Sequence, residues 1–308
     1  MSYSRTLVAT SIYNLNDPGA CARYQELWER TRGIFASLHY AEAAGNVFGL
    51  KPQICFHEED AALLVHLKGA GALRRIVVPP CTQYSALLLP TPPRAHLVHR
   101  QQSPLDQLLS CAEQISRKAD LLVPLSDPRT AQWRGWQVRP LFTYLIDLPA
   151  NTENWSSGAR RTWKSKVSEY DIQEDPTGAQ QVIDLCAKSY KRHGRSLPAQ
   201  PAALGALTKA MGEWARVFVA LRENTPEAGL ILLHDGHTAH YWVAGSIPGP
   251  AMTVLIGELL PILSQSGISQ FDFVGANTPS IAEFKRSFNP VLTQYYHLRR
   301  RPRIHIGR

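Results

Sequence analysis

Lys285 is the residue whose type and setting point most directly to chemistry. It stands in Phe-Lys-Arg-Ser-Phe, residues 284–288. On a helix Ile281, Phe284 and Phe288 fall within about 60° of one another, which puts Lys285 on the border of the apolar face and Arg286 well away from it. The aromatic pair anchors the backbone in a core, and the border position lets the ammonium reach toward the open end of a sheet. A surface lysine paired with Glu283 or Asp272 fits the same spacing. His234, His237 and His240 crowd one hairpin, but His234 and His240 lie on either side of the Asp235-Gly236 turn, so they read as exposed turn residues rather than metal ligands. The chain has no G-x-S-x-G, no P-loop, no G-x-G-x-x-G and no Cys/His cluster with metal spacing. Acyl transfer to an amine needs none of these: a backbone N–H that polarises the acyl carbonyl, and an amine delivered unprotonated, suffice.

The elements that must position Lys285 lie within residues 270–297. Phe271, Phe273 and Gly275 alternate with Asp272 and Val274 in a short β-rich run, and Gly-Ala-Asn-Thr-Pro, 275–279, carries the turn chemistry that ends a strand. Ser280 with Glu283 three residues on is a capping box and predicts a helix start at Ser280. Pro290 closes the helix, and 291–298 is aromatic and β-branched enough for a final strand.

The F-D-F-x-G strand, the polar turn, the F-K-x-x-F pair and the Tyr-rich last strand together resemble the C-terminal end of Fem-type aminoacyltransferases and related FemAB-like acyltransferases. The resemblance is sharpest over 141–297, where Trp155 and the basic residues after it also resemble the first helix of the second Fem domain. It implies an α/β (α+β) protein of two tandem GNAT (GCN5-related N-acetyltransferase) folds, each a mixed sheet flanked by helices. The implied activity is transfer of an acyl or aminoacyl group from acyl-CoA or aminoacyl-tRNA to an amine, with a small molecule or a cell-envelope precursor as acceptor and no metal. In Fem-type enzymes the lysine of the matching segment contacts acceptor phosphate or stabilises developing charge, which makes Lys285 the candidate catalytic residue.

In GNAT folds the polarising N–H comes from a splayed strand, and the donor pyrophosphate rests on amides at the start of the next helix. That correspondence points to the strand 228–234, with Leu230 and Ile231, and to the loop and helix start with Gly245, Ser246, Gly249, Ala251 and Met252 as donor-binding residues. Asp272, Tyr241, Arg160 and Lys164 are the candidate substrate-binding residues, the last two for a phosphate-rich donor such as aminoacyl-tRNA; a solvated charged face explains that pair equally well. The R/Q-x-x-G-x-G/A fingerprint of acetyl-CoA binding is absent. A GNAT-fold protein that binds a nucleotide or envelope precursor without catalysis is the second reading. A dedicated RNA-binding protein is a third, against which stands the lack of an RNP-like aromatic motif.

Along the chain, helices are expected over 18–32 (cap Asp17), 37–48 (cap Ser37), 104–118 (cap Ser103), 152–170, 182–191, 203–214 and 252–266. Strands are expected at 53–57, 61–67, 75–78, 85–89, 120–125, 141–148, 228–234 and 270–274, with an irregular stretch at 128–137 and a loop over 91–103. Residues 61–69 and 228–236 are both apolar strands ending at a glycine turn, and each is followed by strand, helix and strand. That repeat predicts a duplication, with an N-terminal domain over 1–140 and a C-terminal domain over 141–308 carrying the donor site. The chain of 308 residues suits two such domains.

Its 33 basic and 25 acidic side chains leave a net +8, compatible with a polyanionic ligand or simply with a basic globular protein. Five scattered cysteines without a C-x-x-C pair argue against a disulfide framework. No signal-like N-terminus and no apolar run of membrane length are present, so the cytoplasm is the expected compartment. The basic tail at 299–303 either touches a polyanion or keeps the end soluble.

Overall fold

The computed structural model describes residues 11–58, 60–90 and 99–302, with backbone alone for 99–103. In chain order the elements are β1 (Ile12–Asn14), α1 (Pro18–Thr31), α2 (Leu38–Phe48), β2 (Lys51–His57), β3 (Ala61–Lys68), β4 (Arg75–Val77), β5 (Ala86–Leu88), α3 (His99–Ile115), β6 (Ala119–Val123), α4 (Arg129–Trp133) and β7 (Gln137–Asp147). There follow α5 (Ser157–Lys166), β8 (Asp171–Glu174), α6 (Ala179–Arg192), α7 (Pro201–Met211), β9 (Ala215–Arg222), β10 (Thr225–His234), β11 (Thr238–Ser246), α8 (Ala251–Gln265), β12 (Gln270–Asp272), α9 (Pro279–Arg286) and β13 (Val291–Arg300). The chain divides into two compact units, Met1–Pro140 with Tyr295–Arg308, and Leu141–Gln294.

The first unit orders its strands β1-β2-β3-β4-β6-β13, with β5 also on β3. The β2–β3 and β3–β4 pairs are antiparallel and β4–β6 is parallel. The second orders them β8-β9-β10-β11-β12-β7, antiparallel through β11 and parallel at β11–β12. Apart from β5, each unit contains in chain order a strand, two helices, three antiparallel strands, a helix and a parallel strand; an antiparallel strand borders that last one, β13 on β6 in the first and β7, which precedes β8 in the chain, on β12 in the second. The repeat seen in the sequence at 61–69 and 228–236 corresponds to β3 and β10, the third strand of each unit. Both units are mixed sheets flanked by helices.

Local chemistry explains most of these boundaries. Asp17 Oδ1 accepts from the Ala20 N–H at 3.0 Å and Ser37 Oγ from the Tyr40 N–H at 3.0 Å, so α1 and α2 begin where their caps predict. The Asp235-Gly236 hairpin is an Asx turn, with Asp235 Oδ1 accepting from His237 and Thr238 N–H.

Several elements differ from expectation, among them the strands β1, β8 and β9, which no expected strand covers. The helix expected over 152–170 is broken: Trp155 is extended, Ser156 caps a fresh start by accepting from the Ala159 N–H, and α5 covers only Ser157–Lys166 between short 3-10 turns. The break lets the Trp155 ring lie against both Trp163 and Phe288, with centroids 5.5 and 5.0 Å away. Helix α3 starts at His99, so Pro104 lies inside it rather than at its first turn, and 91–98 of the expected loop fall outside the described residues. Residues 129–133, expected irregular, form α4. Helix α9 starts at Pro279 after Thr278, and the Ser280/Glu283 capping box does not form. Proline at the first helical position needs no hydrogen-bond partner, which makes that start favourable.

Gly245, expected among the donor-binding residues, has a packing role. A Cβ there would come within 2.2 Å of Cys186 N and 2.4 Å of Cys186 Cα, so only glycine lets the backbone of α6 cross β11. Gly245→Ala is predicted to cost roughly 3 kcal/mol, the upper end for overpacking against backbone that cannot yield. Urea denaturation measures this; a loss under about 1 kcal/mol would show that α6 can slide aside.

Candidate active site

The site is built where two parallel strands part. β11 and β12 pair over Thr238–Gln270, Ala239–Phe271 and His240–Asp272. β12 ends at this last rung, whereas β11 runs on to Ser246, still paired with β10 on its other side. A bulge in the β10–β11 ladder skips Trp242, since Ile231 pairs with Val243 and Leu232 with Tyr241. The strand that diverges is thus β11. The strand 228–234, expected to be splayed, is paired on both sides, and Leu230 and Ile231 are fully buried in it. Those two residues support the diverging strand from behind.

The last rung holds a buried Asp–His contact. Asp272 is 1 % exposed, and its Oδ1 accepts from Thr143 Oγ1 at 2.5 Å and from the Val274 N–H at 2.8 Å. His240 Nδ1 lies 3.3 Å from Asp272 Oδ2. Burial pushes the Asp272 carboxyl up, but His240, Thr143 and the Val274 N–H outweigh it and hold the group below the ordinary carboxylate range. His240 is therefore buried, not an exposed turn residue. Asp272 stands away from solvent and serves the sheet. Phe271 and Asp272, neighbours on opposite faces of β12, are both buried, as is usual where strands run parallel under helices.

Directly beyond this rung the gap is filled by Tyr241, Phe273 and Lys285. The Lys285 ammonium sits 5.1 Å above the Tyr241 ring, whose centroid is 5.9 Å from that of Phe273. Lys285 Nζ donates to the carbonyls of Phe273, Val274 and Gly275 at 2.6, 2.9 and 2.9 Å. These carbonyls converge because Val274 and Gly275 have φ of 52° and 77°. A β-branched residue at positive φ is a strained exception, worth about 1–3 kcal/mol, and needs compensation nearby. Thr143 Oγ1 also accepts from the Gly275 N–H, and Asn277 exchanges side-chain hydrogen bonds with the Phe142 backbone N–H and carbonyl.

Lys285 is 4 % exposed, deeper than the border position its helix face implied, while Ile281 on the expected apolar face is 41 % exposed. It makes no ion pair with Glu283 among the described residues, and its three N–H donors are matched by three carbonyls. Burial drives its pKa down from 10.5 to about 8, against the pull of the nearby Asp272 carboxylate.

The remaining candidates lie apart from this apex. Ser246 is half-buried with its carbonyl accepting from Arg192 at 3.0 Å, and Gly249 is exposed with φ of 142°. Ala251 and Met252 are buried in the first turn of α8, whose cap position, Pro250, makes no side-chain capping bond. The ladder begins with Val254 N to Pro250 O, so the N–H groups of Ala251, Met252 and Thr253 precede it. Arg160 and Lys164 both reach the one Glu153 carboxylate, at 2.9 and 3.1 Å, so the trio keeps a net charge of about +1.

Thr143 and His240 were missed as site residues; the odd polar position on a strand flanked by apolar ones was the available signal. A shallow hollow lined by Pro149, Ala150, Leu260, Pro261 and Gln265 lies by the far end of α8 and holds no ionisable group. Among the described residues no group of three or more His, Cys, Asp or Glu is placed to hold a metal ion, and no helix is long and apolar enough to cross a membrane.

Residues 152–286 match the family model described as an acetyltransferase (GNAT) domain, which falls within the second unit. No curated protein matches the sequence. Among solved structures, FemX aligns with a TM-score of 0.69 at 8 % identity, over 90 % of this chain and 95 % of that one. L-PGS from Bacillus licheniformis gives 0.56 at 12 % identity, over 96 % and 95 %, and a tandem GNAT protein from the clavulanic acid biosynthesis pathway gives 0.54 at 12 %, over 94 % and 98 %. The chain has the tandem GNAT fold of the Fem-type proteins.

Lys285→Met would leave three carbonyls without their donor and is predicted to cost roughly 2 kcal/mol or more. The wild-type protein also carries a pH signature. Below about 8 the folded protein bears the full cost of a buried ammonium, while the unfolded chain stays protonated up to 10.5. Between those values the unfolded state binds more protons, so stability rises with pH. Urea titrations should show wild type gaining on Lys285→Met as pH rises through this window; parallel pH profiles for the two proteins would contradict the burial of a titrating lysine.

Proposed function

We propose that the protein is an N-acyltransferase of the Fem type. It moves an acyl or aminoacyl group from a phosphorylated donor, acyl-CoA or aminoacyl-tRNA, to the amine of a small molecule or cell-envelope precursor. The observation that carries this reading is the parting of β11 and β12 at His240–Asp272, followed in sequence by the uncapped start of α8. A strand edge released from its neighbour supplies N–H groups for an acyl carbonyl, and the amides at Ala251 and Met252, with the partial positive charge of a helix start, suit the donor's phosphate end. Ser246 and Gly249 border that path, and the match of 152–286 to a GNAT acetyltransferase domain supports it.

In this reading Lys285 sustains turnover by holding the 273–275 carbonyls, and with them the wall of the opening, rather than by touching the donor. Tyr241 forms the floor. Arg160 and Lys164 share the exposed Glu153 carboxylate, and this reading gives them no role in holding the donor.

A thermal-shift comparison of acetyl-CoA, longer acyl-CoAs and aminoacyl-tRNA tests this proposal. A ligand present at 100 times its dissociation constant adds about 2.7 kcal/mol of stability, and at least one of the three should do so. Release of CoA or deacylated tRNA in the presence of an amine then separates an enzyme from a binder without catalysis. No shift with any of the donors would sink the assignment.

A further inference from the structure

The first unit has a parting of strands like that of the second, and its own chain fills it. In the second unit β11 lies along β10 with one extra residue, Trp242, between the pairs Ile231–Val243 and Leu232–Tyr241. In the first unit the matching neighbour of β3 comes in two pieces. β4 pairs at His66–Val77, Leu67–Ile76 and Lys68–Arg75, and β5 pairs at Ala62–Leu88, Leu63–Leu87 and Leu64–Ala86. Residues 78–85 therefore leave the ladder opposite Val65 alone. In the repeat that aligns 61–69 with 228–236, Leu64 and Val65 hold the places of Ile231 and Leu232. The excursion 78–85 thus stands where the second unit has its one-residue bulge.

The excursion runs to β6, the counterpart of β12. β4 and β6 share the parallel rung Ile76–Ala119. Farther along β6, Leu122 meets the excursion: the Ser85 N–H donates to the Leu122 carbonyl at 2.6 Å, and the Leu122 N–H donates to Ser85 Oγ at 2.9 Å. The chain that corresponds to β11 thus bends across the gap and bonds to the strand from which it parted. It is anchored there as well. Thr82 and Gln83 are buried, the Thr82 N–H donates to the Pro79 carbonyl at 3.2 Å, and the Thr82 hydroxyl lies 2.6 Å from that of Tyr40 on α2. Tyr84 stands edge-on to Phe35 and Tyr295, with centroids 6.3 and 5.4 Å away. Cys81 has φ of 60°, a turn conformation uncommon for a residue with a side chain. A loop that only lay over an opening would keep its polar groups in water, whereas this one has carried them into the core.

We infer that residues 78–85 are a built-in occupant of the first unit's strand parting, closing that unit to a donor and leaving the chain one donor site; the contrast between the units rests on the donor path proposed above. The closure itself is a property of the first unit alone. Of two frames built on one plan, the second keeps a strand edge for a ligand's carbonyl and the first spends its edge on Ser85.

Residue-resolved amide hydrogen exchange of the full chain tests the closure without any ligand. The Ser85 and Leu122 N–H groups should be protected, as should those of Leu121 and Val123, which the alternation of an antiparallel ladder turns toward β13. Ser85→Ala removes the acceptor of the Leu122 N–H and should speed exchange there by roughly three- to tenfold, the range for one lost hydrogen bond, with Leu121 and Val123 unchanged. A melting curve establishes that this variant is folded, and the wild-type measurement stands without it. Exchange of Ser85 and Leu122 in the wild-type protein at the rate of an open amide would overturn the occupant. Isothermal titration with acetyl-CoA, longer acyl-CoAs and aminoacyl-tRNA then counts sites. One equivalent per chain is expected of any donor that binds, with exchange over 76–88 and 119–123 unaltered by it. Two equivalents, or donor-dependent protection over 76–88, would overturn the single site. Failure of every donor to bind sinks the donor path of the second unit, while protection of Ser85 and Leu122 still upholds the closure of the first.

Discussion

A single ammonium holds the apex of the second sheet together. Where β12 stops pairing with β11, the chain turns through two residues at positive φ and brings three backbone carbonyls to one point. Converging carbonyl dipoles repel one another, and a β-branched residue at that φ is unfavourable on its own account. Lys285 offsets both by putting one positive charge with three donors at their focus. The cost is the desolvation of a lysine, moderated by the Asp272 carboxylate nearby. Each partner makes the other tolerable: without the carbonyls the lysine nitrogen would stand unpaired, and without the lysine the carbonyls would lose their donors.

This arrangement gives the parting of the strands a fixed shape. His240 and Asp272 close the last rung, Thr143 from β7 ties the carboxylate to the turn, and Tyr241 and Phe273 fill the wedge beyond it. On the other side of the wedge β11 continues to the loop before α8. The three groups most suited by type to acid–base work, Lys285, Asp272 and His240, are all buried and held by neighbours. A transfer reaction on this frame relies on backbone N–H groups and on the placement of the reactants.

Much of the fold was legible in the sequence because its signals are local. Capping at Asp17 and Ser37, the Asp-Gly hairpin and the two apolar strands before glycine turns all depend on a few neighbouring residues, and all appear in the structure. The failures share one cause, which is that tertiary packing overrode local preference. Trp155 breaks a well-patterned helix because its ring packs against Phe288, more than a hundred residues away. The Ser280/Glu283 box yields to a start at Pro279, and the hydroxyl of Thr278 is taken by Arg195. Lys285 was found by its spacing but placed too near the surface, since helix periodicity gives a direction and not a depth. The packing role of Gly245, whose missing side chain makes room for α6, has no local signal in the sequence.

The central claim is that a donor lies along β11 and at the start of α8 in the second unit. Hydrogen exchange of the wild-type protein with and without a stabilising donor tests it most directly. The account predicts slower exchange of the N–H groups at 241–246 and 251–253, with the 273–275 turn equally or better protected. Protection confined to the first unit, with 241–253 unchanged, would contradict it.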